Sequence, residues 1–267
     1  MRINKVGEDL YLFIGDTYES NSTVFVAGED VLLVDALASA KDAQQLKQFV
    51  ETELNKQVRL IISTHYFSDH LAALNSFPRA TVFAHENYRE TFDAEQFRTD
   101  EEMTFFREPD VLISDRLKIR WGAYTLNVSH NPGHSSSTLA IDVPEADLLF
   151  VGDTLVGNIL YLRYSTPERF VTALENLRAK SRRNVISSHG SIRSADAIGH
   201  ASHYLTRLGE GVQQLGWDKS LLGAPLEQFL ADGITASDFE RMFHARNLET
   251  IVERRLFANK AESRPVG

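Results

Sequence analysis

The sequence predicts an α/β protein, a strand-rich core clad in helices with a helical segment at its C-terminal end. Three observations predict it. Short runs of β-branched and aromatic residues, punctuated by Gly-Asp and Gly-Glu-Asp turns, fill the first third of the chain. Val58–Ile62 is a compact apolar run of the kind found in strands covered on both faces. From about Ser191 onward the apolar residues recur instead at spacings of three and four, the period of amphipathic helices.

Taken in order, Leu10–Ile14, Ser22–Ala27 and Val31–Val34 read as strands, and Ala43, Leu46, Val50 and Leu54 as one face of a helix. Val58–Ile62 delivers the chain to Ser63-Thr64-His65, at the end of a central strand, where open α/β sheets favour their active sites. Leu117–Trp121, Tyr124–Val128, Thr138–Val143 and Leu148–Val151 form a set of adjacent strands separated by Gly, Asn-Pro-Gly and Pro-Glu-Ala-Asp turns. Ser165-Thr166-Pro167-Glu168 has capping-box spacing and an early proline and should open a helix, followed by a strand at Asn184–Ser188. Ile198, Ala201, Leu205, Leu208, Val212 and Leu215 make one apolar stripe, Thr235 to Asp238 a second capping box, and Leu248, Ile251, Val252 and Leu256 a last helix. The organisation expected is a core over residues 1–190 and a helical C-terminal segment over 191–267 packed on it.

Composition narrows the function. The 267 residues carry 37 acidic and 28 basic side chains, a net charge of −9, which argues against a phosphate backbone as partner. There is no cysteine, so disulfide scaffolds, thiolate zinc sites and cysteine nucleophiles are excluded. The opening residues lack the apolar stretch of a signal peptide, and no window approaches a membrane-spanning length. The expectation is a soluble cytoplasmic protein with a small-molecule substrate and neither nucleic acid nor membrane as partner; a homodimer is left open.

Nine histidines are present, and four stand in telling company. His65 and His70 bracket Asp69 in Thr64-His65-Tyr66-Phe67-Ser68-Asp69-His70. His134 lies in Asn131-Pro132-Gly133-His134, Asp153 in Gly152-Asp153-Thr154, and His189 in Ser188-His189-Gly190. Each follows a strand end or lies in a turn between strands. Imidazole and carboxylate together suit zinc, iron or manganese. His85, His130, His200, His203 and His244 carry no such pattern, although His244 could reach a pocket. Phe105-Phe106, Trp121 and Tyr124 read as core, and Arg254-Arg255 as a solvated helix face.

This ordered set resembles the metallo-β-lactamase fold superfamily, whose hallmarks are Thr-His-x-His-x-Asp-His, a Pro-Gly-His, a Gly-Asp after a strand and a final His beside Gly. Asn21–Val26 and Val34-Asp35 resemble that family's opening strands, and the resemblance spans roughly residues 8 to 190. It implies a four-layered αβ/βα sandwich with a metal site at the edge between its halves. It implies one complete ligand trio, Asp69, His70 and His189, and a second site reduced to His65 and His134, because Phe67 stands where the motif has its second His and offers no lone pair. Asp153 resembles the carboxylate that bridges both metals. One or two ions are therefore expected, zinc first, with iron or manganese as alternatives. Asp69 and Asp153 are the expected catalytic carboxylates, and Phe67 and Tyr66 the expected substrate contacts. The activity implied is metal-dependent hydrolysis of a small-molecule ester, thioester, lactone or amide. An iron-dependent redox protein, or a descendant that binds metal or ligand without turnover, is the alternative.

Overall fold

The computed structural model describes residues 1–96 and 98–258. Thirteen strands form two mixed sheets among these residues. The first runs in spatial order through β1 (Arg2–Gly7), β2 (Leu10–Ile14), β3 (Asn21–Ala27), β4 (Asp30–Val34), β5 (Gln57–Ile62), β6 (Thr81–His85) and β7 (Val111–Ile113). Its first four strands are antiparallel and its last four parallel. The second contains β8 (Arg116–Trp121), β9 (Tyr124–His130), β10 (Leu139–Val143), β11 (Leu148–Gly152), β12 (Asn184–Ser187) and the short edge strand β13 (Arg193–Ser194), with only β11 and β12 parallel. The helices are α1 (Ala40–Gln48), α2 (Tyr88–Ala94), α3 (Asp100–Met103), α4 (Pro167–Arg178), α5 (Asp196–Leu215), α6 (Lys219–Leu222) and α7 (Asp238–Arg254).

Alternation along the strands builds four layers. Leu10, Leu12, Ile14, Leu32 and Val34 point inward and meet Leu139, Ile141, Val143, Leu148 and Phe150 of the second sheet in one buried cluster. Their neighbours Phe13, Val24, Val31 and Leu33 point to the other face, where Ala43 and Leu46 of α1 cover them. On the outer face of the second sheet, Ala140, Leu149, Val151 and Val185 meet Phe170 and Leu174 of α4, Ile198, Leu205 and Leu208 of α5, and Leu248 and Ile251 of α7. The period-two pattern of each strand thus assigns one residue to the inter-sheet core and the next to a helical layer. This is the expected αβ/βα sandwich, with the C-terminal helices sharing the core of the second helical layer.

Three local expectations shift. Helix α4 is capped by Thr166, whose hydroxyl accepts from Arg169 N–H, rather than by Ser165. Proline has no N–H to donate and a fixed φ suited to the first helical position, so Pro167 makes its predecessor the cap. Helix α7 is capped by Ser237, not Thr235, and Glu240 reaches back to its backbone N–H in a full capping box. The helix expected to run through Leu54 stays regular only to Gln48 and ends in a wider turn at Phe49–Glu53, closed by Leu54 N–H on Phe49 C=O.

Candidate metal centre

The parallel strands β4 and β5 in one sheet and β11 and β12 in the other bring four strand ends to the same edge of the sandwich. The loops leaving them carry the predicted site apart from His134, which lies in the connection between β9 and β10. Asp35, just past β4, is the pivot. Its carboxylate is buried and accepts hydrogen bonds from Thr64 N–H (2.7 Å), the Thr64 hydroxyl (2.9 Å) and the Ser188 hydroxyl (2.8 Å). It therefore ties the His65 loop of the first sheet to the His189 loop of the second. Asp35 holds a left-handed φ of 59°, a conformation that costs about 1–3 kcal/mol outside glycine and persists only where surrounding bonds impose it. Gly152, before Asp153, also has a left-handed φ of 55°, and a Cβ there would crowd Thr64 and Thr138 at 3.3 Å. Leu139 N–H on Thr64 C=O (2.7 Å) and Asn21 N–H on Ser188 C=O (2.8 Å) complete the seam between the sheets.

Each of three histidines has one ring nitrogen engaged, and the engagement fixes the other. Thr64 Oγ1 donates to Asp35, so at 3.1 Å it accepts from His65 Nδ1. Ser20 Oγ donates to the Asp69 carbonyl and lies 3.4 Å from His70 Nδ1. His189 Nδ1 donates to the Tyr18 carbonyl at 2.8 Å. All three rings consequently turn Nε2 towards the site, the orientation of a metal-ligating histidine held by its outer partner. These Nε2 atoms converge on carboxylate oxygen. His189 Nε2 lies 3.1 Å, His70 Nε2 3.7 Å and His65 Nε2 3.9 Å from Asp153 Oδ2. Asp69 stands 3.2 Å from His70 Nε2 through Oδ1 and 3.5 Å from His189 Nε2 through Oδ2.

Nε2 atoms this close to carboxylate oxygens call for positive charge between them, supplied by protons or by a metal ion. Nε2 of His65 and of His70, Nδ1 of His134 and Oδ1 of Asp153 are buried without a hydrogen-bond partner. Orphaned buried polar atoms are rare and ask for an explanation. The electrostatics give the same demand. Burial works to lower the His70 imidazole, yet the Asp69 and Asp153 carboxylates overcome it and hold it up at about 10. Burial likewise acts against Asp153, but the His189 and His70 imidazoles hold its carboxyl well below the usual range. His65 and His134 are pushed down by burial and by the charge on His70.

Two groups of side chains could hold metal ions among the described residues: Asp69, His70 and His189, and His65, His134 and Asp153, each with ligand atoms within 4.8 Å of one another. A profile of the metallo-beta-lactamase superfamily matches residues 15–207. The chain belongs to the metallo-beta-lactamase superfamily. Among solved structures it is similar to a metallo-beta-lactamase from Pontibacter korlensis, 18% identical with a TM-score of 0.66, over 77% of this chain and 98% of that one. It is also similar to a metallo-beta-lactamase from Hirschia baltica, 16% identical with a TM-score of 0.60, over 77% and 97%. At such identities the likeness is one of fold.

The superfamily implies a divalent metal such as zinc, and the first group fits one well. Tetrahedral zinc with oxygen and nitrogen ligands at about 2.0–2.2 Å sets its ligand atoms about 3.3–3.5 Å apart. The contacts among His70, His189, Asp69 and Asp153 run from 3.1 to 3.7 Å, on either side of that spacing. Phe67 packs beside the second group. Its ring, 5% exposed, packs 5.4 Å from that of His65 and 5.3 Å from that of His134.

In this superfamily member the centre opens on a cleft of about 470 Å³, lined by Asp69, Asp153, His134, His189 and Phe67. Tyr66 is not there. Expected to touch substrate, it is fully buried in the core behind the first sheet, with its hydroxyl on the Arg107 carbonyl. Alternation explains the correction: next to Phe67 in extended chain, Tyr66 faces the opposite way. His85 and His130 stack on each other at 3.7 Å and bond the carbonyls of Ser114 and Ser136, which makes them structural. His244 is buried between the Tyr204 hydroxyl and the Ala224 carbonyl and does not reach the cleft. Arg254 is more than a solvated residue, since its guanidinium donates to the carbonyls of Leu162, Arg163 and Ser165 and braces the loop before α4.

Several cleft residues escaped the sequence reading: Tyr161 and Tyr164 in that loop, and Phe239, Phe243 and Arg246 on α7. Glu95, also lining the cleft, accepts from Ser68 N–H and the Ser68 hydroxyl, both at 2.9 Å, and so fixes the turn that carries Asp69 and His70. Phe239 and Phe243 stand four apart on a helix, a spacing that reads equally well as core, and the tyrosine pair has no periodic signal.

Proposed function

We propose that this protein is a metal-dependent hydrolase of a small-molecule ester, thioester, lactone or amide. Asp69, His70 and His189, with Asp153, would hold the tightest ion, zinc in the first instance and iron or manganese as alternatives. His65 and His134 would give a second ion a weaker place. The observation that supports this reading best is the convergence of three histidine Nε2 atoms on Asp153 beside an open cleft, those of His65 and His70 buried without a hydrogen-bond partner.

A divalent ion so held supplies a Lewis acid and lowers the pKa of water towards neutrality, making a nucleophile available at physiological pH. The protein's own groups supply the rest. The Asp69 carboxylate, with its side chain 23% exposed, faces the cleft and can orient a water molecule and accept its proton. Asp153, 9% exposed, has Oδ1 unpaired and can take part in the same proton transfer. Glu95 and Asp35 keep the two ligand-bearing loops in register, so the reacting groups need no reorganisation. The cleft volume falls in the range of small-molecule pockets, and the acidic chain disfavours polyanionic substrates.

The test is metal analysis of the purified protein alongside a panel of ester, thioester, lactone and amide substrates. Bound zinc with turnover of one class, abolished by Asp69→Asn, is the expected result. Bound iron with no hydrolysis across the panel would replace the hydrolase with a redox or non-catalytic protein.

A further inference from the structure

Six Phe and Tyr side chains line the cleft, and five of them, Phe67, Tyr164, Tyr161, Phe243 and Phe239, follow one another around it. Ring centroids are 4.5 Å apart from Phe67 to Tyr164, 6.2 Å from Tyr164 to Tyr161, 4.8 Å from Tyr161 to Phe243, and 4.8 Å from Phe243 to Phe239. Both ends of this arc return to the candidate ligands. Phe67 lies 5.3 Å from the His134 ring, and Phe239 lies 5.6 Å from the His189 ring. The result is a horseshoe of rings that begins beside one ligand and ends beside another.

Three separate segments build it: the Thr64–His70 loop, the loop between β11 and α4, and the first two turns of α7. Each segment is pegged by polar contacts. Asn247 accepts from Leu162 N–H and donates to the Leu160 carbonyl, both at 2.7 Å, flanking Tyr161. Arg254 braces Arg163 and Ser165, flanking Tyr164. Buried Glu240 accepts from Asn158 N–H at 2.6 Å and docks the start of α7 against the same loop. Gly157 makes that docking possible, since its φ is 67° and a Cβ there would lie 2.3 Å from Glu240 Oε1. The rings are thus held open around the cleft, although collapse on one another would bury more apolar surface.

The arc is uncharged. Burial pushes the Tyr161 and Tyr164 hydroxyls up, Tyr164 to about 12, so both stay protonated. The Arg246 guanidinium lies 5.5 Å from the Phe243 centroid and already takes a cation's place on that ring.

We propose that this arc selects a planar or ring-sized apolar group beside the metal centre. Under the hydrolase reading, on which the substrate class rests, the acyl side of the substrate is then aryl or alicyclic rather than acetyl-sized. Phe67 thereby becomes a specificity-determining residue: a ring that lines the acyl pocket in the place of a ligand.

Binding tests this without turnover. Zinc-loaded protein is titrated calorimetrically with phenylacetate, acetate and tetramethylammonium. Phenylacetate should bind at least about tenfold more tightly than acetate, the factor expected from burying much of a phenyl ring. In the Phe239→Ala/Phe243→Ala double variant the preference should fall within about threefold while acetate affinity holds, because only the apolar contact is removed. Phe243→Leu, which preserves helix and volume, should lose part of the preference and serves if the double variant misfolds. Equal affinities for phenylacetate and acetate, tighter binding of tetramethylammonium, or a preference undiminished in either variant overturns the inference. A clear phenylacetate preference with no turnover on the substrate panel keeps the aromatic pocket and overturns the hydrolase instead.

Discussion

The two sides of the cleft are built on opposite principles. On the sheet side the candidate ligands are polar and, Asp69 apart, buried, and several are aimed by a neighbouring atom: Tyr18 C=O sets His189, Thr64 sets His65, and Asp35 sets both loops. On the helical side half-buried aromatic rings face the cleft beside Arg246 and Glu249, while the polar groups Glu240, Asn247 and Arg254 serve as pegs behind them. The difference teaches how the molecule divides its labour. Charge must be held to fractions of an ångström by strand ends that cannot move apart. Apolar recognition tolerates looser placement and is delegated to a loop and a helix.

Five experiments would break or sharpen that division. The largest effect should follow removal of residues 191–267. More than half of the buried residues in the core behind the second sheet lie beyond residue 191, so the truncated chain should be insoluble or unfolded, read by circular dichroism and gel filtration. A soluble, metal-binding fragment would show the two sides to be independent.

Next come alanine substitutions at the ligands. His70→Ala or His189→Ala should weaken metal binding by more than the roughly 10–100-fold typical of outer-shell changes. His65→Ala or His134→Ala should cost less, because the group they belong to already lacks one imidazole. Equal losses at all four, measured by plasma emission after dialysis, would erase the distinction between the two groups.

Asn247→Ala strips partners from Leu162 N–H and the Leu160 carbonyl, and should destabilise the protein by about 1–3 kcal/mol for each group left bare. Denaturant melts should register this while metal content stays at its wild-type value. A parallel loss of metal would mean that the helical side also aims the ligands.

Phe67→His should restore a trio with His65 and His134 and raise the metal count by about one ion per chain, since three imidazoles and an open position complete a zinc site. Two ions in both proteins, or one in both, would each refute the view that Phe67 is what weakens the second group.

The smallest effect is a pH dependence seated in the helical side. Burial holds His244 below its ordinary 6.5, so the folded protein favours the neutral ring. Its contribution is complete above 6.5 and is lost as pH falls through that value towards the lower folded pKa, where the unfolded chain binds the extra proton. Stability curves from pH 7.5 to 5 should therefore be shallower for His244→Gln than for wild type, by up to about one proton. Identical slopes would place no titration there.

Much of this architecture is written in the sequence by itself. The alternation of Leu10, Leu12 and Ile14 with Tyr11 and Phe13 determines a strand buried on two faces, and the apolar stripe from Ile198 to Leu215 determines a long helix against a core. The motif from Thr64 to His70, the Pro-Gly-His turn, Gly152-Asp153 and His189 are short local strings whose chemistry is visible residue by residue, so the candidate ligands were legible before any fold was known. The order of caps was less so: only the demands of Pro167 and the reach of Glu240 decide between Ser165 and Thr166, or Thr235 and Ser237. Whether a side chain faces the cleft or the core was not written locally at all. Tyr66 and Phe67 are adjacent aromatic residues, yet one is core and the other lines the cleft. Tyr161, Tyr164, Phe239 and Phe243 carry no local mark that separates them from Phe105 or Trp121. Their partners lie tens of residues away, and apolar contact has no sequence signature beyond periodicity. Only tertiary structure decides which face of an aromatic ring is left open, because that depends on what the rest of the chain leaves uncovered.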